Sequence, residues 1–240
     1  MTSDIQSDLL GVSRMKSMEV DISNHHYIVL SLLHQWLEDV ALPHARGVML
    51  DFGCGGQPYK ALFSQRISQY IGADVAASKD VQLDIEIQPG KPVPLADASV
   101  DTILSTQTLE HVFNVEFYLS ECQRLLKPGG TLILTVPMQW RVHEVPYDYW
   151  RFTRYGLVEL MRRHGFNTSS ITPCGGAWAL AGQVINSHLS FYWRGNGMLY
   201  SLINRLALWL DRRYPDPDET LNLMCLGQKQ EANTTPEELV

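Results

Sequence analysis

Apolar residues first recur at helical spacing between positions 25 and 42. Ile28, Leu32, Leu33, Trp36, Leu37 and Val40 share one face there, which predicts an amphipathic helix that Pro43 helps to end. The pattern then changes. Short apolar runs at 47–52 (GVMLDF), 69–75, 81–85, 100–105 and 131–136 (TLILTV) predict strands. Helical stretches over 57–67 and up to Gln123–Lys127 separate them, and Pro128, Gly129 and Gly130 form a turn before TLILTV. Thr153 precedes a helix over 154–164 that Gly165 caps, and strands follow at 166–172 and 221–227. Between those two strands lies an insertion over 174–213 rich in Trp, Leu and Tyr. Strands alternating with helices imply parallel βαβ units, so the fold class is α/β: seven strands, mostly parallel, flanked by helices, with a helical insertion before the last strand. Ligands of such sheets sit at the carboxyl ends of the strands.

Composition narrows the function classes. The charge count is 19 basic against 26 acidic residues, net −7, with no cluster of Lys and Arg. Such a chain lacks the electrostatic footprint of a nucleic-acid binder, so no nucleic-acid partner is expected. Its four cysteines, Cys54, Cys122, Cys174 and Cys225, form no CxxC pair, which fits neither a disulfide framework nor a zinc site. The N-terminal MTSDIQSDLL is acidic and has no apolar run, so it does not read as a signal peptide and a cytoplasmic location is expected.

The candidate chemistry follows the strands. Residues 50–56, LDFGCGG, end a strand at Asp51 and turn sharply through Gly53, Gly55 and Gly56. Glycine tolerates positive φ and lets a ligand approach the backbone. A dinucleotide fingerprint would need glycine at 53, 55 and 58, and position 58 is Pro58, which argues against NAD(P) and an oxidoreductase. Asp74 ends the next strand 21 residues after Gly53, a spacing that suits a carboxylate accepting from a ribose diol.

With these residues in view, positions 47–172 resemble the class I, Rossmann-like S-adenosylmethionine-dependent methyltransferases, in particular a type-11-like methyltransferase domain. Asp51, Gly53 and Gly55 match the family's D-x-G-x-G-x-G, while Gln57 replaces its last glycine; Gly53–Tyr59 is similar to a G-C-G-x-x-P-Y variant. The resemblance implies S-adenosylmethionine as cofactor. Gly53 and Gly55 would pass its methionine part, Asp51 would orient its amino group, Asp74 would hold the ribose, Asp84 with Ile85 the adenine amine, and Gln107 the methionine side. Glu110 and His111 follow, and His111 could face the active site or simply belong to a capping pair. Some quinone-biosynthesis members place an acid three residues before this Glu-His pair and bind a divalent metal. Gln107 stands there instead, so no metal is expected. The chain then divides into an N-terminal polar segment and helix (1–46), the cofactor-binding core (47–172), a helical and aromatic insertion or lid (173–220), and a last strand with a polar tail (221–240).

Residues 143–153, HEVPYDYWRFT, fall where a methyl acceptor should lie, and similar runs occur in a subset of methyltransferases. Tyr147, Tyr149 and Trp150 could stack on a sugar or ring acceptor, and Arg151 could pair with a carboxylate or phosphate. An oxygen acceptor benefits from a general base, for which His143 ranks first, then His111, then Asp148. The competing reading is structural: Tyr147 and Trp150 as packing, Asp148 and Arg151 as a local ion pair. Residues 198–210 (MLYSLINRLALWL) are amphipathic but too short and too polar to span a bilayer. A cover over the sheet, a homodimer surface and a peripheral membrane contact all suit them, with Gly195, Asn196 and Gly197 as a lid hinge. The expected activity is methyl transfer to a small-molecule, glycan or lipid-linked acceptor, on oxygen. The alternative is an inactive binding module that kept the fold.

Overall fold

A strand's side chains alternate between the two faces of its sheet, and here both faces are apolar, so each needs a cover. In the computed structural model, which describes residues 15–77, 81–192 and 196–230, seven strands form one sheet. They are β1 (Val48–Phe52), β2 (Gln69–Asp74), β3 (Ile85–Glu86), β4 (Val100–Thr106), β5 (Leu126–Pro137), β6 (Phe166–Cys174) and β7 (Asn222–Lys229), in the order β3-β2-β1-β4-β5-β7-β6. Neighbours are parallel except at β7, which runs antiparallel between β5 and β6. Leu50, Ile103, Leu132 and Leu134 face helices α3 (Val115–Leu125) and α4 (Arg154–Arg163) through Leu119, Leu125, Leu157 and Met161. Their sequence neighbours Met49, Leu104 and Ile133 face the other way, against Leu33 and Trp36 of α1 (Tyr27–Trp36) and Phe63 of α2 (Lys60–Phe63). The four cysteines are buried and free.

Several elements differ from the pattern-based expectation for local reasons. Helix α1 stops at Trp36 and gives way to a wider turn over Leu37–Ala41 and a tighter one over Leu42–His44. Only Lys60–Phe63 is helical within 57–67, because Gln57 stands at φ 56 and donates its N–H back to Cys54 O. Strand β3 is two residues long, a short edge. Strand β5 starts at Leu126 instead of 131: Leu126 pairs with Val100, and a bulge between Val100 and Thr102 takes up the Pro-Gly-Gly turn.

The 174–213 insertion is an antiparallel pair of helices, α5 (Ala177–Tyr192) and α6 (Gly197–Arg213). They touch where a Cβ on Gly182 would lie 2.4 Å from Ala207 Cβ, so only glycine allows the approach. Asn186 donates to Asn204 Oδ1 (2.7 Å), and Asn204 donates to Ile22 O (2.7 Å), tying the pair to the segment before α1. Asn196 and Gly197, read as hinge residues, are the cap and first residue of α6, with Asn196 accepting from Leu199 N–H (3.1 Å); Gly195 lies outside the described residues. The far N-terminus (1–14) and the end of the polar tail (231–240) also lie outside them.

Candidate active site

The chain leaves β1 at the point where the sheet order reverses, between β1 and β4. Gly53 and Cys54 N–H both donate to Ala73 O (2.8 and 3.1 Å), which seats the turn on the end of β2. Gly53 has φ 88, and a Cβ on it would lie 2.3 Å from Thr108 Cγ2, so the position accepts only glycine. Gly55 N–H and Val75 N–H donate to the two oxygens of Asp74 (2.8 and 2.7 Å), joining the glycine turn to the end of β2. Asp51 is buried beneath. Tyr70 Oη donates to its Oδ2, and its Oδ1 has no hydrogen-bond partner among the described residues. Burial pushes the Asp51 carboxyl up to about 7, against the Tyr70 bond and with the help of the Asp74 charge.

Two further residues expected at the cofactor, Asp84 and Gln107, have their side chains hydrogen-bonded within the protein. Asp84 Oδ2 accepts from Gly72 N–H (2.8 Å), which fastens the β3 edge to β2, while Ile85 opens β3 opposite Ala73. Gln107, at φ 49, donates its backbone and side-chain N–H groups to Thr135 O and Oγ1 (both 3.0 Å).

Beyond β4 an acid and two imidazoles converge. Glu110 is fully buried and neither carboxylate oxygen has a hydrogen-bond partner among the described residues. Burial pushes it up to about 8. His111 Nε2 lies 3.8 Å from Glu110 and also 3.8 Å from Glu144 Oε2, while its Nδ1 meets Tyr147 O at 3.0 Å. The His143 ring stands edge-on to His111, centroids 4.7 Å apart. One ligand atom each from Glu110, His111 and His143 lie within 4.8 Å of one another, a grouping that could hold a cation. The metal-free expectation weighed position 107 and not His143, which reaches the cluster from the segment after β5.

Asp148 and Arg151 take other parts than base and anion ligand. Arg151 donates to both Asp148 oxygens (2.6 and 2.8 Å) and to the carbonyls of Trp140, Arg141 and Trp150. Those five contacts use every guanidinium N–H, so none remains for an acceptor. In return Arg151 holds the Asp148 carboxyl down at about 2, too acidic for a base near neutrality. Asp148 Oδ2 accepts from His143 N–H (3.0 Å) and lies 3.3 Å from His143 Nδ1. The aromatic run is a strap. Tyr149 and Trp150 N–H donate to Glu110 O, and Trp150 Nε1 donates to Val112 O (3.0 Å), leaving the Tyr147, Tyr149 and Trp150 rings partly open to solvent.

Beside the strap, a cleft of about 590 Å³ opens between the segment after β5 and helix α5. Met138, Trp140, Leu180 and Phe191 supply apolar wall, and Arg141 lies over the Phe191 ring, 4.3 Å from its centroid. These wall residues and Tyr70 went unrecognised in the sequence. Trp140 and Arg141 adjoin the HEVPYDYWRFT run, which is a signal; nothing in the spacing connects them to Phe191.

A methyltransferase domain family matches residues 50–134, the stretch from β1 to β5. The chain carries a methyltransferase domain over these residues and is similar to the class I S-adenosylmethionine-dependent methyltransferases. A probable S-adenosylmethionine-dependent methyltransferase of Mycolicibacterium smegmatis is 32% identical over 96 residues, 37% of each chain. A ubiquinone biosynthesis O-methyltransferase of Cereibacter sphaeroides is 24% identical over 192 residues, 65% of this chain and 78% of that enzyme. The crystal structure of the cyclase SpnF superposes with a TM-score of 0.60 at 16% identity, over 96% of this chain and 92% of that one, and shares the fold.

S-adenosylmethionine is the cofactor of this methyltransferase, and the glycine turn fits it. Beneath that turn the buried Asp51 oxygen, which has no hydrogen-bond partner among the described residues, suits a cationic amino group.

Proposed function

We propose that this methyltransferase acts on a hydroxyl oxygen of a small-molecule, glycan or lipid-linked acceptor, with His143 as the base. Bound S-adenosylmethionine supplies an already activated, electrophilic methyl group. The protein's task is to hold the acceptor in line, keep water out and remove one proton. Trp140, Phe191 and Met138 would seat the acceptor body in the cleft, and the Tyr147–Trp150 strap would close its flank. His143 would take the hydroxyl proton on Nε2. What supports this is the setting of its other nitrogen: Nδ1 faces Arg141 O and Asp148 Oδ2, both at 3.3 Å, acceptors that favour the proton on Nδ1. Burial, and then the neighbouring His111, lower the His143 pKa from its ordinary value, so the ring is unprotonated at neutral pH. Asp148 is thus a positioning residue for His143, and His111 lines the same cluster. Asp51, Gly53, Gly55 and Asp74 would hold the cofactor, with Gln107, Asp84 and Ile85 shaping the walls. Oxygen as acceptor atom takes support from the O-methyltransferase relatives.

Labelled-methyl transfer to a panel of phenols and sugar alcohols tests this reading. His143→Ala should reduce transfer about 10²–10⁴-fold, with S-adenosylhomocysteine affinity unchanged. Wild-type transfer should fall on the acid side as His143 takes its proton, at a pH below the ordinary histidine value. Full activity in the variant removes His143 from the role. Binding of S-adenosylhomocysteine without turnover of any acceptor favours the inactive binding module. The Glu110 carboxylate, with no hydrogen-bond partner among the described residues, supports a second reading, in which Glu110, His111 and His143 hold a divalent cation. Inhibition by EDTA reversed by Mn²⁺, but not seen in Glu110→Gln, would favour that reading over the base.

A further inference from the structure

Helices α5 and α6 bury one face of each against the other and against α1, through Ala179, Gly182, Asn186, Asn204 and Ala207. Their opposite faces are apolar as well. On α6, Met198, Leu202, Leu206 and Trp209 are 83, 64, 53 and 57% exposed, and their spacing places them on one stripe. On α5, Trp178, Val184, Ile185, Phe191 and Tyr192 are also exposed. Scattered exposed apolar residues are ordinary, but nine on two adjoining helices mark an interaction surface.

Charge selects the occupant. The only carboxylate in 177–213 is Asp211, and it is turned inward, accepting from Gly176 and Ala179 N–H (3.1 and 3.0 Å). Arg205, Arg212 and Arg213 are exposed on α6, and among the described residues no carboxylate pairs with them. A net −7 chain therefore carries a basic, apolar face with a tryptophan on it. A second copy laid on this face would set arginines near arginines with no free acid on either hairpin. An anionic lipid surface satisfies both features at once, taking the apolar stripe below its headgroups and the arginines among them.

We propose that the exposed face of the α5–α6 hairpin docks this protein on anionic lipid membranes. It lies on the surface, since no helix among the described residues is long and apolar enough to cross a bilayer. Val184 and Phe191 stand both on the exposed face of α5 and in the cleft wall, so docking brings the cleft mouth to the lipid.

Co-sedimentation of the full chain with phosphatidylcholine vesicles, with and without phosphatidylglycerol, tests the proposal. The protein should partition to the anionic vesicles and be released by high salt. Arg205→Gln and Arg212→Gln should each weaken partitioning about fivefold, and Leu202→Glu with Trp209→Glu should abolish it. All four sites are solvent-exposed or partly so, and matching circular dichroism and unfolding midpoints would establish that the variants fold. Failure of the wild type to bind anionic vesicles overturns the proposal, as does undiminished binding of the Leu202→Glu/Trp209→Glu protein. A wild-type dimer that this double variant splits, with no vesicle binding, overturns it in favour of a second copy.

Discussion

Replacing Asp51 by Asn should move stability and cofactor affinity in opposite directions. Asp51 is buried, and its carboxyl is raised from 3.8 to about 7, chiefly by that burial. The folded state therefore holds the Asp51 proton more tightly than the unfolded chain does. Its contribution to stability is full below pH ~4, declines as pH rises, and has gone above pH ~7. Between about pH 5.5 and about pH 8.5 the linkage amounts to roughly 2 kcal/mol. Asn keeps the size and can still accept from Tyr70, but does not ionise. Urea unfolding at the two pH values should thus show wild type losing about 2 kcal/mol more than Asp51→Asn. Taking the difference between the two proteins matters, because Glu110 (about 8) and His26 (lowered to about 4, mainly by burial) titrate in both. The variant should nevertheless bind S-adenosylhomocysteine about 1.5–3 kcal/mol more weakly, roughly 10- to 150-fold, because a charge-assisted bond to the ligand amino group is gone. A pH-independent gap between the two proteins would refute the buried, ionisable Asp51. Equal affinities in calorimetric titration would refute its assignment to the amino group.

Asp74→Ala should weaken S-adenosylhomocysteine binding by roughly 1–3 kcal/mol in the same titration, and unchanged affinity would remove Asp74 from the ribose role. Arg151→Met strips five hydrogen bonds and leaves the Asp148 carboxylate, with 3% of its side chain exposed, without its cation. Because Arg151 is itself partly exposed, the expected loss is about 2–4 kcal/mol in urea unfolding; a loss under about 0.5 kcal/mol would mean that the strap is not braced there.

The glycine turn between β1 and β2 was legible along the chain because its determinants are local. Gly53, at φ 88 with Thr108 where a Cβ would stand, and Gly55 announce the turn, and Asp74 ends the next strand 21 residues after Gly53. The seven strands were legible for a similar reason, since apolar runs bounded by Gly, Pro and Asp report burial directly. Boundaries were less so: a bulge opposite Val100 carried β5 back to Leu126 through a Pro-Gly-Gly turn, which no local propensity encodes.

The arrangement of the segment after β5 was decided by tertiary structure. The residue types in HEVPYDYWRFT suit base, stack or anion ligand equally, and only the folded geometry assigns their donors. It spends Arg151 on Asp148 and three carbonyls, turns Asp148 toward His143, and lays the strap over Glu110 O. Sequence patterning likewise showed that 198–210 is amphipathic, but not which face the fold would use. Gly182 against Ala207 and Asn186 against Asn204 bury the small and polar side, leaving Leu202 and Trp209 outside. Local conformational demands are written residue by residue; hydrogen-bond partners depend on which distant segments the sheet brings together, and that is a property of the whole fold.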